Sequence, residues 1–131
     1  MIITDIVELK VPCEDVSSTD EAFTIIDKLD KELTDSPNEG IGLAANQIGT
    51  NKKVCILRMP QEDPECKNLY SFQYNLANPA IVSRRLPFIM KNEGCLSFPG
   101  EIIDTLRYAS VTVADLLQPE GRTFYGLAAV V

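Results

Sequence analysis

Residues 17–37, SSTDEAFTIIDKLDKELTDSP, carry Ala22, Ile25, Ile26, Leu29 and Leu33 at helical spacing, with Asp20, Asp27, Lys28 and Lys31 free for the opposite side. A helix with one apolar stripe cannot stand alone and has to be laid against another element. Ser18 is placed to cap it, Glu21 to reciprocate in a capping box, and Ser36-Pro37 to stop it. The rest of the chain has to supply the covering surface, and most of it reads as strand.

Lys53 to Met59 alternates, with Val54 and Ile56 on one face and Cys55 and Leu57 on the other. Short strands are expected on either side of Asn78-Pro79, between Leu69 and Val82. Arg107 to Leu116 has a period-two pattern, and the turn signal Gln118-Pro119-Glu120-Gly121 pairs Val111–Leu116 with Arg122–Tyr125 as a hairpin. Met59-Pro60 and the polar stretch after it, which holds Cys66, read as an exposed connection. No repeat or second-domain boundary is visible. These elements predict one α+β domain over residues 1–131, with helices at both ends of a strand-rich middle.

The chain has 131 residues, 45% of them apolar, enough for a packed core. Its start, MIITDIVELKVP, lacks the order of a signal peptide, and no apolar run reaches membrane-spanning length. A cytoplasmic protein that does not enter a membrane is the simplest expectation. The net charge of −7 argues against nonspecific nucleic-acid binding. Cys13, Cys55, Cys66 and Cys95 form no CxxC pair, and the aliphatic content removes the need for disulfide staples.

Two segments invite chemistry. Gly40-Ile41-Gly42-Leu43-Ala44-Ala45-Asn46-Gln47-Ile48-Gly49 mixes glycines with apolar residues, yet is neither a dinucleotide fingerprint nor a phosphate loop. It is suited either to close backbone packing or to presenting N–H groups and the Gln47 amide to an oxyanion or an extended peptide. Glu93-Gly94-Cys95-Leu96-Ser97-Phe98-Pro99-Gly100 fixes a backbone path around Cys95. A Cys–His nucleophile is excluded, because the chain contains no histidine. A rigid buried thiol and a metal-binding thiolate both remain open, and one cysteine does not make a zinc site.

GIGLAANQIG followed by EGCLSFPG resembles the first two signature motifs of the peptide deformylase family. Between them, Asn78-Pro79-Ala80-Ile81 is similar to the family's NP-x-I strand. Arg107 stands fourteen positions after Glu93, where the family pairs an arginine with that glutamate. The resemblance covers roughly residues 20–131 and implies a deformylase-like α+β fold. That fold has antiparallel β-sheets, an N-terminal helix and the beginning of a metal-site helix at the C-terminus.

The resemblance also implies an activity: metal-dependent removal of the formyl group from N-formyl-methionyl nascent peptides. The metal is Fe(2+), or another divalent ion such as Zn(2+) or Ni(2+). Cys95 is then the metal ligand, while the Gln47 amide and the Leu96 backbone N–H face the oxyanion. Gly42 and Gly94 contact the extended substrate, and Ile41, Leu127 and Val130 line the methionine pocket. The implied protein is a cytoplasmic monomer of a bacterial cell or encoded by a phage, working in proximity to the ribosome.

The sequence departs from the family in one respect: the third motif, HExxH, with two histidine ligands and the acid/base glutamate, is not among these residues. The expectation is a C-terminally truncated deformylase domain. The alternative is a noncatalytic deformylase-like module that binds peptide or serves as structure. A further alternative has a partner chain donate the histidines.

Overall fold

The computed structural model describes residues 2–35, 41–59, 72–126 and 129. The expected helix stop at Ser36-Pro37 and the polar connection containing Cys66 lie outside the described residues. Two helices come first, α1 at Ile6–Leu9 and α2 at Thr19–Asp35. Six strands follow: β1 Gly42–Ala44, β2 Val54–Met59, β3 Phe72–Ala77, β4 Ala80–Cys95, β5 Phe98–Ala114 and β6 Arg122–Tyr125. They form two antiparallel three-stranded sheets, in the orders β1-β2-β3 and β4-β5-β6.

The start of α2 differs from its expected capping box in one bond. Ser18 Oγ accepts from the Glu21 backbone N–H at 3.2 Å, as the sequence predicts. The Glu21 carboxylate, however, reaches past Ser18 and accepts from the Ser17 backbone N–H at 2.8 Å and from the Ser17 hydroxyl at 2.9 Å. Lys52 stands 3.5 Å from its other oxygen and holds it there.

Ala22, Ile25, Ile26, Leu29 and Leu33 are all buried, in one cluster with Leu43, Val54, Ile56 and Ala77 of the first sheet and with Ala45 just after β1. Removing such a side chain from water stabilises by roughly 1.5–3 kcal/mol for the larger aliphatics. Arg58 fastens the far end of α2, donating to Thr34 Oγ1 at 2.8 Å and pairing with Asp30, while its Nε donates to Gln73 of β3 at 3.1 Å.

β2 is covered on both faces. Val54 and Ile56 point into the core under α2, while Cys55 and Leu57 belong to a second cluster with Leu76, Val113 and Phe124. The alternation read from the sequence is therefore the alternation of two cores. Tyr74 and Phe124 meet edge to face at 5.1 Å, tying the first sheet to β6.

Between β3 and β4 the chain turns at Asn78, which has φ 50°. Its side chain holds the loop before α2, accepting from Val16 N–H at 2.8 Å and donating to Val16 C=O at 3.0 Å. Beside it the buried Asp115 carboxylate accepts from the N–H groups of Ala77 and Gln118, each at 2.9 Å, with the Arg122 guanidinium 3.7 Å away. Asp115 thereby joins the two sheets at their shared corner.

β4 and β5 are far longer than the short strands expected around Asn78-Pro79 and the strand expected from Arg107. Pro87 is tolerated inside β4 because β4 is an edge strand and needs no N–H on its open side. The ladder shifts register after Ile81, after Met90 and after Glu93, and Leu86 and Asn92 take positive φ. The expected hairpin across Gln118–Gly121 is present, pairing Val111 with Phe124 and Val113 with Arg122. At the C-terminal end, Ala129 is helical and donates to Gly126 C=O at 3.1 Å. The rest of the expected metal-site helix lies outside the described residues.

Candidate functional site

The glycine-rich segment folds as strand β1 followed by a short 3₁₀ turn, Ala45–Ile48, closed by Gly49 at φ 84°. A left-handed φ of this size is open to glycine at no steric cost. Gln47 sits in the turn and reaches back, its Oε1 accepting from the Ala44 N–H at 3.0 Å. This is the half of a capping box that an alanine at the N-cap permits.

Opposite it, β4 ends at Cys95 and β5 begins at Phe98, with Leu96 and Ser97 as the two-residue connection. The Cys95 thiol is exposed, so the rigid buried thiol suggested by its sequence neighbours is not what forms. The cysteine that does meet an apolar interior is Cys55, whose pKa desolvation pushes up to about 11, with a smaller push from the Asp115 carboxylate. Ser97, by contrast, is only 1% exposed. Gln47 Nε2 donates to Ser97 Oγ at 3.1 Å and, more weakly, to Cys95 Sγ at 3.7 Å.

Behind this hairpin, Arg107 of β5 makes a two-point pair with Glu93, Nε to Oε2 at 2.9 Å and Nη2 to Oε1 at 2.7 Å. The Glu93 carboxylate raises the Arg107 pKa above its ordinary value, chiefly through these hydrogen bonds. Planar guanidinium–carboxylate pairing fixes orientation as well as distance. It therefore braces the strand two residues before Cys95.

A cavity of about 800 Å³ opens between the edge strand β1 and the Cys95 hairpin. Ile41, Gly42, Gln47, Gly94, Cys95 and Leu96 all line it. Six of the eight residues singled out in the sequence thus meet in one place, while Leu127 and Val130 lie outside the described residues. A Cβ at Gly94 would meet only Glu101 C=O, at 3.8 Å, so packing does not demand glycine there.

Sequence reasoning passed over Ser97, Met90 and Phe98, of which the last two also line the cavity. Ser97 and Phe98 were legible as members of EGCLSFPG; Met90 carried no signal.

A family model described as polypeptide deformylase matches residues 3–128. The chain belongs to the polypeptide deformylase family. A peptide deformylase of Prochlorococcus marinus (strain NATL2A) is 31% identical over 106 residues, which are 81% of this chain and 50% of that protein. Peptide deformylase 2 of Xanthomonas axonopodis pv. citri (strain 306) is 35% identical over 124 residues, 92% of this chain and 67% of that protein. The crystal structure of peptide deformylase from Ehrlichia chaffeensis superposes with a TM-score of 0.75 at 29% identity, covering 98% of this chain and 75% of that one. One from Legionella pneumophila gives 0.74 at 28% identity, covering 98% and 73%. The chain spans about half the length of the first of these curated deformylases.

The donor set differs from what a deformylase metal centre needs. Among the described residues no three of His, Cys, Asp and Glu come together to hold a metal ion, and the sequence has no histidine. Zinc-type sites take three or four protein ligands, so the Cys95 thiolate alone does not fit one. No helix among the described residues is long and apolar enough to cross a membrane.

Proposed function

We propose that these 131 residues form the peptide-binding part of a deformylase-type site and that, by themselves, they bind an N-formyl-methionyl peptide without hydrolysing it. The observation that carries this is the cavity between β1 and the Cys95 hairpin: an edge strand, glycines at Gly42 and Gly94, the Gln47 amide and the Cys95 thiol all face one space. An edge strand offers unpaired backbone groups to an extended peptide, which adds as a further strand. Ile41 and Leu96 supply apolar wall, with Leu127 and Val130 expected to extend it, for a methionine side chain.

Calorimetric titration with an N-formyl-methionyl tripeptide, followed by a formate assay, tests this reading. Binding without formate supports it, and absence of binding to the folded chain overturns it.

A second reading is favoured by the Gln47 amide standing beside Cys95 and Leu96. In it, two imidazoles and an acid/base carboxylate come from further residues or from a partner chain, and the whole is a peptide deformylase using Fe(2+), Zn(2+) or Ni(2+). Where further residues of the same chain supply them, such a protein acts as a cytoplasmic monomer near the ribosome, in a bacterium or encoded by a phage, without binding nucleic acid. Formate release that appears only when a histidine-bearing fragment is mixed with this chain supports that reading. In the complemented protein Gln47→Ala then lowers kcat about a hundredfold, as loss of an oxyanion donor does, with little change in KM.

A further inference from the structure

We propose that Ser97 is a positioning residue: its buried hydroxyl sets the direction of the Gln47 amide, and leaves the weak bond to Cys95 as the one that a ligand carbonyl displaces. The geometry comes from three partners around one carboxamide. The Ala44 N–H can only donate, so it fixes the oxygen end of Gln47 and turns the nitrogen end toward the Cys95 hairpin. There, the two-residue turn after Cys95 presents two acceptors to the same nitrogen, Ser97 Oγ at 3.1 Å and Cys95 Sγ at 3.7 Å.

Both amide hydrogens are therefore committed, but unequally. Ser97 is buried, and its hydroxyl has to find partners within the protein. Cys95 is exposed, and a thiol sulfur is a poor acceptor. A carbonyl oxygen entering the cavity exchanges with the sulfur, while Ser97 keeps the amide aimed. Serine at 97 thus acts on the ligand through Gln47 without lining the cavity itself.

The effect on peptide affinity rests on the peptide-binding reading above, whereas the effect on the Gln47 amide does not. The test is the pair of side-chain amide proton signals of Gln47 in ¹⁵N-labelled full chain. Ser97→Ala should move both toward the positions of a freely rotating glutamine and speed their exchange, while backbone signals of β2 and β3 stay in place. Ser97→Thr, which keeps the hydroxyl, should restore them. Cys95→Ala should shift one of the two protons and leave the Ser97-bound one unmoved, a check that holds even where the added methyl of threonine is not accommodated.

With an N-formyl-methionyl tripeptide as probe, Ser97→Ala should bind about fivefold more weakly, the worth of one ordinary hydrogen bond. Gln47 signals that do not change in Ser97→Ala would overturn the proposal. If the parent chain binds no peptide, the peptide-binding reading fails and the Gln47 signals still decide the role of Ser97.

Discussion

In the layer made by α2 and β1–β3, nearly every large apolar side chain that faces inward is covered: Leu29 and Ile56 are completely buried, and Ile25, Ile26, Leu43 and Val54 nearly so. Along β4 and β5 the opposite holds. Ile81, Val82, Leu86, Ile89, Ile102, Ile103 and Leu106 are each more than half exposed. The two regions are joined at a corner by Asp115 and Arg122 and by the Tyr74–Phe124 contact. Stability therefore resides in the helix-covered layer. The cavity and the Cys95 thiol lie where that layer meets the end of the looser hairpin. A binding wall can be built from the hairpin because its geometry is set locally, by the Glu93–Arg107 pair and the Gln47–Ser97 bond, instead of by a deep core.

Truncating one leucine in each region gives the largest contrast. Leu29→Ala should lower unfolding free energy by about 3 kcal/mol, the cost of lost burial plus a cavity, whereas Leu106→Ala should cost no more than about 0.5 kcal/mol. Denaturant titration of both variants measures the difference, and equal losses would erase the distinction between the two regions.

The junction is probed by pH. Cys55 has its thiol pKa raised from 9.0 to about 11 in the fold, by burial first and by Asp115 second. Above pH 9 the unfolded chain releases this proton before the folded chain does. Stability should then fall as pH rises from 9.0 toward about 11, by on the order of 2 kcal/mol, and be unaffected by this group below pH 9. Cys55→Ala should flatten that slope in thermal melts taken across the window.

On the hairpin, Arg107→Met should cost about 1–2 kcal/mol, because it leaves the Glu93 carboxylate, 14% exposed, without its partner. It should also weaken peptide binding, since the brace lies two residues from Cys95; unchanged affinity would separate the pair from the site. At the edge of the well-packed layer, Ser18→Ala should cost about 1 kcal/mol through loss of the α2 cap, with peptide affinity untouched.

The same contrast decides what could be read from the sequence. The α2 stripe and the alternation of β2 were legible because burial follows the 3.6 and 2.0 periods directly there. The β5–β6 hairpin was legible from its turn chemistry. β4 was not, since Pro87 reads as a break in a strand and only its position at the sheet edge makes it tolerable. The register shifts after Ile81 and Met90 also scramble the period that would have revealed its length.

Of the site, Cys95, Gln47 and their flanking glycines stood out through motif resemblance. Their meeting across 48 residues of sequence, and the burial of Ser97, depend on how the hairpin end folds back onto the 3₁₀ turn. No local pattern encodes that return. The exposure of Cys95 was left open by the sequence for the same reason, because its glycine and leucine neighbours fit a turn at the rim as well as a core.

The proposal that the cavity between β1 and the Cys95 hairpin binds an N-formyl-methionyl peptide, without these residues alone hydrolysing it, can be tested in one experiment. The most direct measurement follows an N-formyl-methionyl peptide labelled with ¹³C at the formyl carbon, by NMR, in the presence of the chain and Fe(2+) or Zn(2+). The formyl signal should shift as the peptide binds and persist as the amide, with Gly42 and Gly94 resonances moving in step. Accumulation of free ¹³C-formate, or a peptide signal indifferent to the folded chain, would contradict it.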